Sequence, residues 1–395
     1  MAITWQLSPL TGWGKVGFAL FDHLRDCGRP PLLLRQPVWD HLSPSLQDAC
    51  RPLAAVASAS VNQLEQTPGA VLDLSPLTVL HSFGNDLACD PTMARVVGSR
   101  NVALLAIEEA PRELGPLARM DATIVHSSFT AEMLRGRGAE RVFLAFQGVD
   151  PELFRPSAPA GRFGGRFVVF SGGKLEFRKG QDLVVAAFAR FRRRHPDSLL
   201  VCGWASFWPA LAYGINEGVL DEPLREGRNG LPDLGRWLVE NGVPEESFLL
   251  IDRYEPADMA ALLAECHAAV FPNRCESATN LVAMEAMATG VPCILSGNTG
   301  HLDLIGGDDV LALRRQRPVP DPQANRQGWG ESDVEEIEAA LEFVYERREE
   351  ARVLGQQAAA RISRWTWPRF AASVMAVVDG EGGGDQGPPG EEGSE

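Results

Sequence analysis

The strongest constraint on the fold is an alternation that runs through the chain twice. Apolar runs too short for helices alternate with amphipathic segments of helical period, over residues 2–145 and again over 167–295. This pattern predicts parallel strands joined by crossover helices, an α/β doubly wound sheet covered on both faces. In the first half the expected strands are Ala2–Leu7, Pro31–Leu34, Val79–His81, Val102–Ile107, Ala122–Val125 and Val142–Ala145. Helical spacing occurs at Val16–Leu24 and Thr130–Arg135, whereas residues 43–74 give no clear pattern. In the second half strands are expected at Phe167–Ser171, Ser198–Cys202, Ser247–Ile251, Ala268–Phe271 and Pro292–Leu295. Helices are expected at Gln181–Arg193, Pro256–Glu265, Leu281–Thr289 and Asp333–Arg361.

A Pro- and Gly-rich stretch at 156–165 separates the two sets and predicts a linker. A chain of 395 residues suits two or three domains. The expected division is an N-terminal domain over 1–157, a C-terminal domain over 158–362, a short segment over 363–379 and a tail over 380–395. The tail, GEGGGDQGPPGEEGSE, offers no apolar anchor and is expected to be disordered.

Composition excludes several classes. A net charge of −15 argues against a general nucleic-acid binder, which needs a basic face. The seven cysteines form no C-x-x-C pair and are odd in number, so neither a zinc site nor a disulfide framework is expected. No apolar run reaches the length of a membrane span, which leaves only peripheral membrane contact open. The N-terminus lacks the basic start and apolar stretch of a signal peptide, so a cytoplasmic protein is expected.

Three motifs could carry chemistry. In the first, a strand ending at Phe271 leads through a polar loop to a helix starting near Thr279 or Asn280, either a good N-cap. Free amides at such a start bind anions. Glu276 in the loop and Glu285 on the second helical turn could accept hydrogen bonds from sugar hydroxyls. The alternative is that Glu276 caps the helix and Glu285 is a surface acid. In the second motif, strand Val168–Ser171 runs into Gly172-Gly173, then Lys174 and the Arg178-Lys179 step. These cations could neutralise a diphosphate; the alternative is a solvated basic turn.

The third motif is Gly12-x-Gly14-x-x-Gly17 after the first strand. It has the spacing of a dinucleotide fingerprint, but Arg35 follows the strand where an acid would be needed for NAD. Either a substrate approaches this loop closely or the glycines serve a tight turn. His81 and His126 follow expected strands, on the edge where α/β proteins bind ligands, and His301 lies in a similar loop. Each could bond a sugar or be a satisfied structural histidine.

Together these motifs resemble the retaining glycosyltransferases of the GT-B fold, specifically the large family-four group, over nearly the whole chain. Asp121–Leu134 resembles the strand–serine–helix segment of the family's N-terminal domain. Gln147–Phe154 is similar to its N-G-V-D-x-x-x-F signature, with Gln147 in place of Asn. Gly172–Gly180 is similar to G-R-L-x-x-x-K-G, with Lys174 in place of Arg, and Glu276–Pro292 to the E-x7-E loop and helix. Glu108-Glu109-Ala110-Pro111, Asn298–Asp303 and Trp329–Asp333 resemble stretches of some bacterial members. Ser363–Trp367 looks like the segment that lets the last helix cross back to the first domain.

The resemblance implies two Rossmann-like domains facing a cleft and hexosyl transfer from a nucleotide diphosphate-sugar, with retention, to an acceptor hydroxyl. The acceptor class (glycan, lipid, protein or small molecule) stays open. Lys174 and Lys179 would contact the diphosphate, with Arg178 a neighbour. Glu285 would hold the ribose, and the loop around Ala278, Thr279 and Asn280 would hold phosphate and sugar. No metal or other cofactor is implied. In one departure, Glu276 and Glu285 enclose eight residues where the family has seven, so Ser277 occupies the strict position. Either a longer loop still brings Glu276 to the sugar, or Ser277 replaces it. Rival readings are an epimerase or phosphorylase of the same fold, or a non-catalytic sugar-nucleotide binder.

Overall fold

The structure is a computed structural model that describes residues 1–205, 208–252 and 255–380. The tail expected to be disordered lies, from residue 381, outside the described residues. The chain divides into two compact units. One comprises Met1–Gly148, Gln323–Asn325 and the segment from Trp365 onward, and the other Val149–Pro322 and Arg326–Arg364.

In the first unit, strands β1 (Ala2–Ile3), β2 (Leu32–Leu33), β3 (Thr78–Phe83), β4 (Arg100–Leu105), β5 (Ala122–Val125) and β6 (Val142–Leu144) form one sheet in the order β2-β1-β3-β4-β5-β6. Every pairing in it is parallel. Helix α1 (Gly12–Asp26) is capped by Thr11, whose Oγ1 accepts from the Gly14 amide at 3.1 Å. The stretch without a clear pattern, 43–74, is mostly helix α2 (Pro44–Gln66). Ser43 caps it and Pro44 takes the first turn, where a missing N–H costs nothing. Its buried stripe is Cys50, Ala54, Ala57, Val61 and Leu64, and the small side chains together with the internal Pro52 disguise the helical period. The last helix, Trp367–Asp379, belongs to the same core. Its Phe370, Val374, Met375 and Val378 cluster with Leu20, Phe21 and Leu24 of α1. Each such burial is worth about 1.5–3 kcal/mol, so packing rather than charge holds the helix in place.

In the second unit, β7 (Phe167–Gly172), β8 (Ser198–Gly203), β9 (Phe248–Leu250), β10 (Ala268–Phe271), β11 (Cys293–Ser296) and β12 (Leu311–Leu313) form a sheet in the order β9-β8-β7-β10-β11-β12. All its pairings are parallel too. The central strands are buried along their whole length and read as continuous apolar runs, as strands covered on both faces do. Helices α4 (Gln181–Arg194), α5 (Leu234–Glu240), α6 (Pro256–Leu263) and α7 (Leu281–Ala288) link or cover them; α3 (Ser128–Gly136) belongs to the first unit. The late charged segment is not one helix over Asp333–Arg361. It is α8 (Val334–Glu346) and α9 (Arg348–Ile362), broken at Arg347. The break lets α8 pack on α4 while α9 packs on α7.

From β7 the sheet grows one way through β8 and the other way through β10, so successive connections leave its C-terminal edge in opposite directions. Ligands of such sheets bind in the crevice this leaves. Among the described residues no helix is long and apolar enough to cross a membrane.

Candidate functional site

Two loops meet at the switch point of the second unit. One follows β7 and carries Lys174, Glu176, Arg178 and Lys179; the other follows β10 and carries Asn273, Glu276, Ser277, Ala278, Thr279 and Asn280 before α7. Backbone bonds join them directly, since the Arg274 amide donates to the Arg178 carbonyl at 2.6 Å and the Cys275 amide at 3.2 Å.

The charged side chains form one cluster. The Lys179 ammonium and the Asn273 amide group both donate to the Glu276 carboxylate. Arg178 Nη1 reaches Glu276 Oε2 at 3.5 Å, while its Nε donates to Glu176 Oε2 at 2.8 Å. Lys174 Nζ contacts Glu176 Oε1 at 2.9 Å and lies 5.2 Å over the Trp208 ring. Arg178, Lys179, Glu176 and Glu276 are buried. Burial pushes the Glu276 carboxyl up, but Lys179 and Arg178 outweigh it and hold its pKa at about 2. Burial draws the Lys179 ammonium down, and Glu276 opposes that shift. Burial likewise raises Glu176, and Arg178 and Lys174 turn the result downward. The carboxylates are therefore ionised at neutral pH. Three cations face two anions, so positive groups outnumber negative ones in the cluster.

The extra residue leaves Glu276 on the side of the loop that faces the second motif. Glu276, not Ser277, meets the basic pair. Asn280 adopts a left-handed backbone, φ 61° and ψ 85°, which Asn tolerates better than most residues. Asn280 is also the N-cap of α7, its side chain accepting from the Ala283 amide at 3.4 Å. Glu276 is thus free of the capping role. The Leu281 and Val282 amides, in the first turn, have no acceptor within the helix. Glu285 is buried, contrary to a surface acid, although α7 is only eight residues long.

A fully buried arginine holds the two loops together. Arg274 donates to both carboxylate oxygens of Asp182 at 2.7 and 2.8 Å, to Glu331 at 2.8 Å and to the Phe177 carbonyl at 2.8 Å. Sequence reasoning passed over Arg274, Glu176 and Asn273. Arg274 stood among the loop residues with no partner in sequence to betray its role. Glu176 lies two residues from both Lys174 and Arg178, a spacing that could have suggested a bridging acid.

The remaining predicted site residues lie in the first unit. Gly12 opens α1. Gly14 is required by packing, because a Cβ there would collide with the Ser8 backbone. This makes the glycine pattern first a matter of helix seating. His126 is buried, with Nδ1 bonded to the Ala145 carbonyl at 3.0 Å and its ring edge-on to Trp13 and Phe370. Burial lowers its pKa to about 4. His81 is buried on β3 with Nε2 3.4 Å from Asn101 Oδ1, and burial lowers its pKa. Both imidazoles are therefore neutral at pH 7, and His126 Nε2 and His81 Nδ1 have no hydrogen-bond partner.

Two doubly wound units, one bearing a basic cluster and a helix N-terminus at its switch point, define the GT-B class of nucleotide-sugar-handling proteins. Residues 157–361 match the family model of glycosyl transferases group 1, which is more than half of the chain, and the protein belongs to that family. Its fold resembles sucrose-phosphate synthase of Thermosynechococcus elongatus, with 16% identity and a TM-score of 0.64 over 96% of this chain and 99% of that one. It also resembles HepE of Anabaena in complex with UDP and glucose, at 14% identity and TM-score 0.64 over 96% and 99% of the two chains. A glycosyltransferase of Rickettsia africae is similar at 10% identity and TM-score 0.63, over 96% and 98%. No curated protein sequence matches the chain.

Proposed function

We propose that the protein transfers a hexose from a nucleotide diphosphate-sugar to an acceptor hydroxyl with retention of anomeric configuration. The observation that carries this reading is the meeting of Lys179, Arg178 and Glu276 beside the N-terminus of α7. Its basic groups and free amides suit a departing diphosphate, whose charge grows as the glycosidic bond breaks. On this reading Lys174, Arg178 and Lys179 supply that stabilisation without a metal ion. Glu276 orients the donor sugar, and Glu285 the ribose. Loading the donor would exchange the present carboxylate partners of the cations for phosphate oxygens. The UDP held by HepE agrees with a uridine nucleotide as donor.

A thermal-shift screen of UDP-, GDP- and ADP-sugars against NAD tests the donor class, since a ligand that binds only the native state raises the melting temperature. Stabilisation by a sugar nucleotide and not by NAD is expected; a response to NAD alone would sink the reading. NMR of the product anomer then tests retention. Conversion of the sugar nucleotide without any acceptor would favour an epimerase.

A further inference from the structure

The stretch Asn298-Thr299-Gly300-His301 follows β11 and grips the loop that carries Glu276 along its length. Asn298 Nδ2 donates to the Asn273 carbonyl at 3.0 Å, and the Glu276 amide donates to Thr299 Oγ1 at 2.9 Å. The Gly300 amide donates to the Glu276 carbonyl at 3.0 Å. At the far end, Asn280 Nδ2 donates to His301 Nε2 at 2.9 Å.

The last contact fixes the chemistry of the imidazole. Asn280 Oδ1 already accepts from the Ala283 amide, so the group facing His301 is the amide NH2, a donor. Nε2 must then accept, the ring proton sits on Nδ1, and Nδ1 donates to Ser296 Oγ at 2.8 Å. His301 is fully buried, so water cannot substitute for either bond. Asn280 in turn is the one residue between Glu276 and α7 with a left-handed backbone, and it sets where the helix amides point.

We infer that His301 is a positioning residue for the donor site: through Nε2 it holds Asn280 in the left-handed conformation that aims the first amides of α7 at the donor diphosphate. The inference rests on the donor-site reading above. His301 itself touches no substrate, so its loss acts on donor affinity through Asn280.

Two substitutions separate the two ends of the ring. His301→Gln places an amide oxygen near the Nε2 position and keeps an acceptor for Asn280. His301→Asn reaches only the Nδ1 position, so it keeps the Ser296 contact and abandons Asn280. Binding of UDP, GDP and ADP to the full chain is measured by calorimetry, with circular dichroism to show that each variant is folded. For the nucleotide that wild type binds, His301→Asn is expected to weaken affinity by about tenfold or more, and His301→Gln by less than about threefold. Donor KM should follow the same order while acceptor KM stays unchanged. Equal losses in the two variants, or wild-type affinity in His301→Asn, overturn the inference. Wild type binding none of the three nucleotides overturns the donor-site reading instead, and the inference with it. If His301→Asn does not fold, Asn280→Gly and Asn280→Ala replace it. Both lose the side chain, but glycine keeps the left-handed backbone and alanine resists it, so alanine is expected to bind at least about threefold more weakly than glycine. Equal affinities in those two overturn the inference.

Discussion

The Lys179 ammonium donates to the Glu276 carboxylate with both side chains buried, so each favours the charged form of the other. The Glu276 carboxylate, which the proposed mechanism sets against the donor sugar, is thereby kept ionised. Glu276→Gln removes the charge but keeps an acceptor oxygen. We expect turnover to fall by about a hundredfold, as when one group that stabilises a transition state is lost. UDP, which lacks the sugar, should bind within a few-fold of wild type. Steady-state kinetics with the best donor from the screen checks this. Full turnover with unchanged donor affinity would remove Glu276 from the sugar site.

Arg274 makes a different prediction, for stability. Asp182 is fully buried, and Arg274 supplies two of its hydrogen bonds; the Val219 amide supplies a third at 2.9 Å. Arg274→Met leaves that carboxylate without its countercharge, which costs about 3–5 kcal/mol when one partner of a buried pair is removed. Arg274→Lys should recover little, because a single ammonium cannot match the forked geometry or lie flat on the Phe177 ring 4.1 Å away. Urea denaturation read at equilibrium would show both effects as a lower midpoint. A midpoint unchanged in Arg274→Met would mean that the buried pair contributes nothing net.

Much of this was legible in the sequence, for identifiable reasons. Strands β5 and β10 fall on the expected residues, Ala122–Val125 and Ala268–Phe271, because buried parallel strands are unbroken apolar runs with sharp polar ends. Helix α2 was not legible, since its buried face is made mainly of alanine and cysteine and Pro52 interrupts it. The division at Arg347 escaped notice because charged residues continue through the break. In the site, Lys174, Arg178, Lys179 and Glu276 were legible from residue type and loop position. Their partners Glu176, Asn273 and Arg274 were not, because a bridging role depends on where two loops 98 residues apart in sequence come together, as at Arg178 and Glu276. That Glu276 rather than Ser277 meets the basic pair shows only once the two loops are folded together.

Two histidines give stability a definite dependence on pH. Burial lowers His126 to about 4, and burial, with Glu276 opposing and Lys179 assisting, lowers His301 to about 4. Their ordinary value is 6.5. Between those values the unfolded chain binds protons that the folded chain does not, so stability falls as pH falls from about 6.5 to about 4. The Glu276 shift has the opposite origin but the same direction in acid. Its stabilisation is complete above the ordinary 4.5 and is lost toward about 2. We expect the melting temperature to drop between pH 7 and pH 5 and the drop to shrink in His126→Phe, which cannot titrate. Differential scanning calorimetry across that range checks it. A His126→Phe profile parallel to wild type would show that His126 does not contribute.

Gly300 offers the most local test of the loop that carries Glu276. It packs so closely under the Glu276–Ala278 segment that a Cβ would collide with the Ala278 carbonyl oxygen and press on the Glu276 carbonyl. Those atoms are backbone and cannot rotate aside as a side chain could. Gly300→Ala must therefore push the loop outward or break the bond from the Gly300 amide to the Glu276 carbonyl, 3.0 Å in the wild type. Either movement carries Glu276 away from Lys179. Overpacking of this kind costs about 1–3 kcal/mol. A displacement near 1 Å at a reacting group can cost about a hundredfold in rate. We accordingly expect Gly300→Ala to remain folded with a modestly lower melting temperature while kcat/KM for the donor falls by about a hundredfold. An exposed glycine with free space around it, Gly115, serves as the control and should tolerate alanine without loss of activity. Parallel kinetics and thermal melts of the two variants distinguish a displaced loop from general destabilisation. If Gly300→Ala lost stability alone and kept wild-type kcat/KM, the position of the Glu276–Ala278 segment would not limit the reaction.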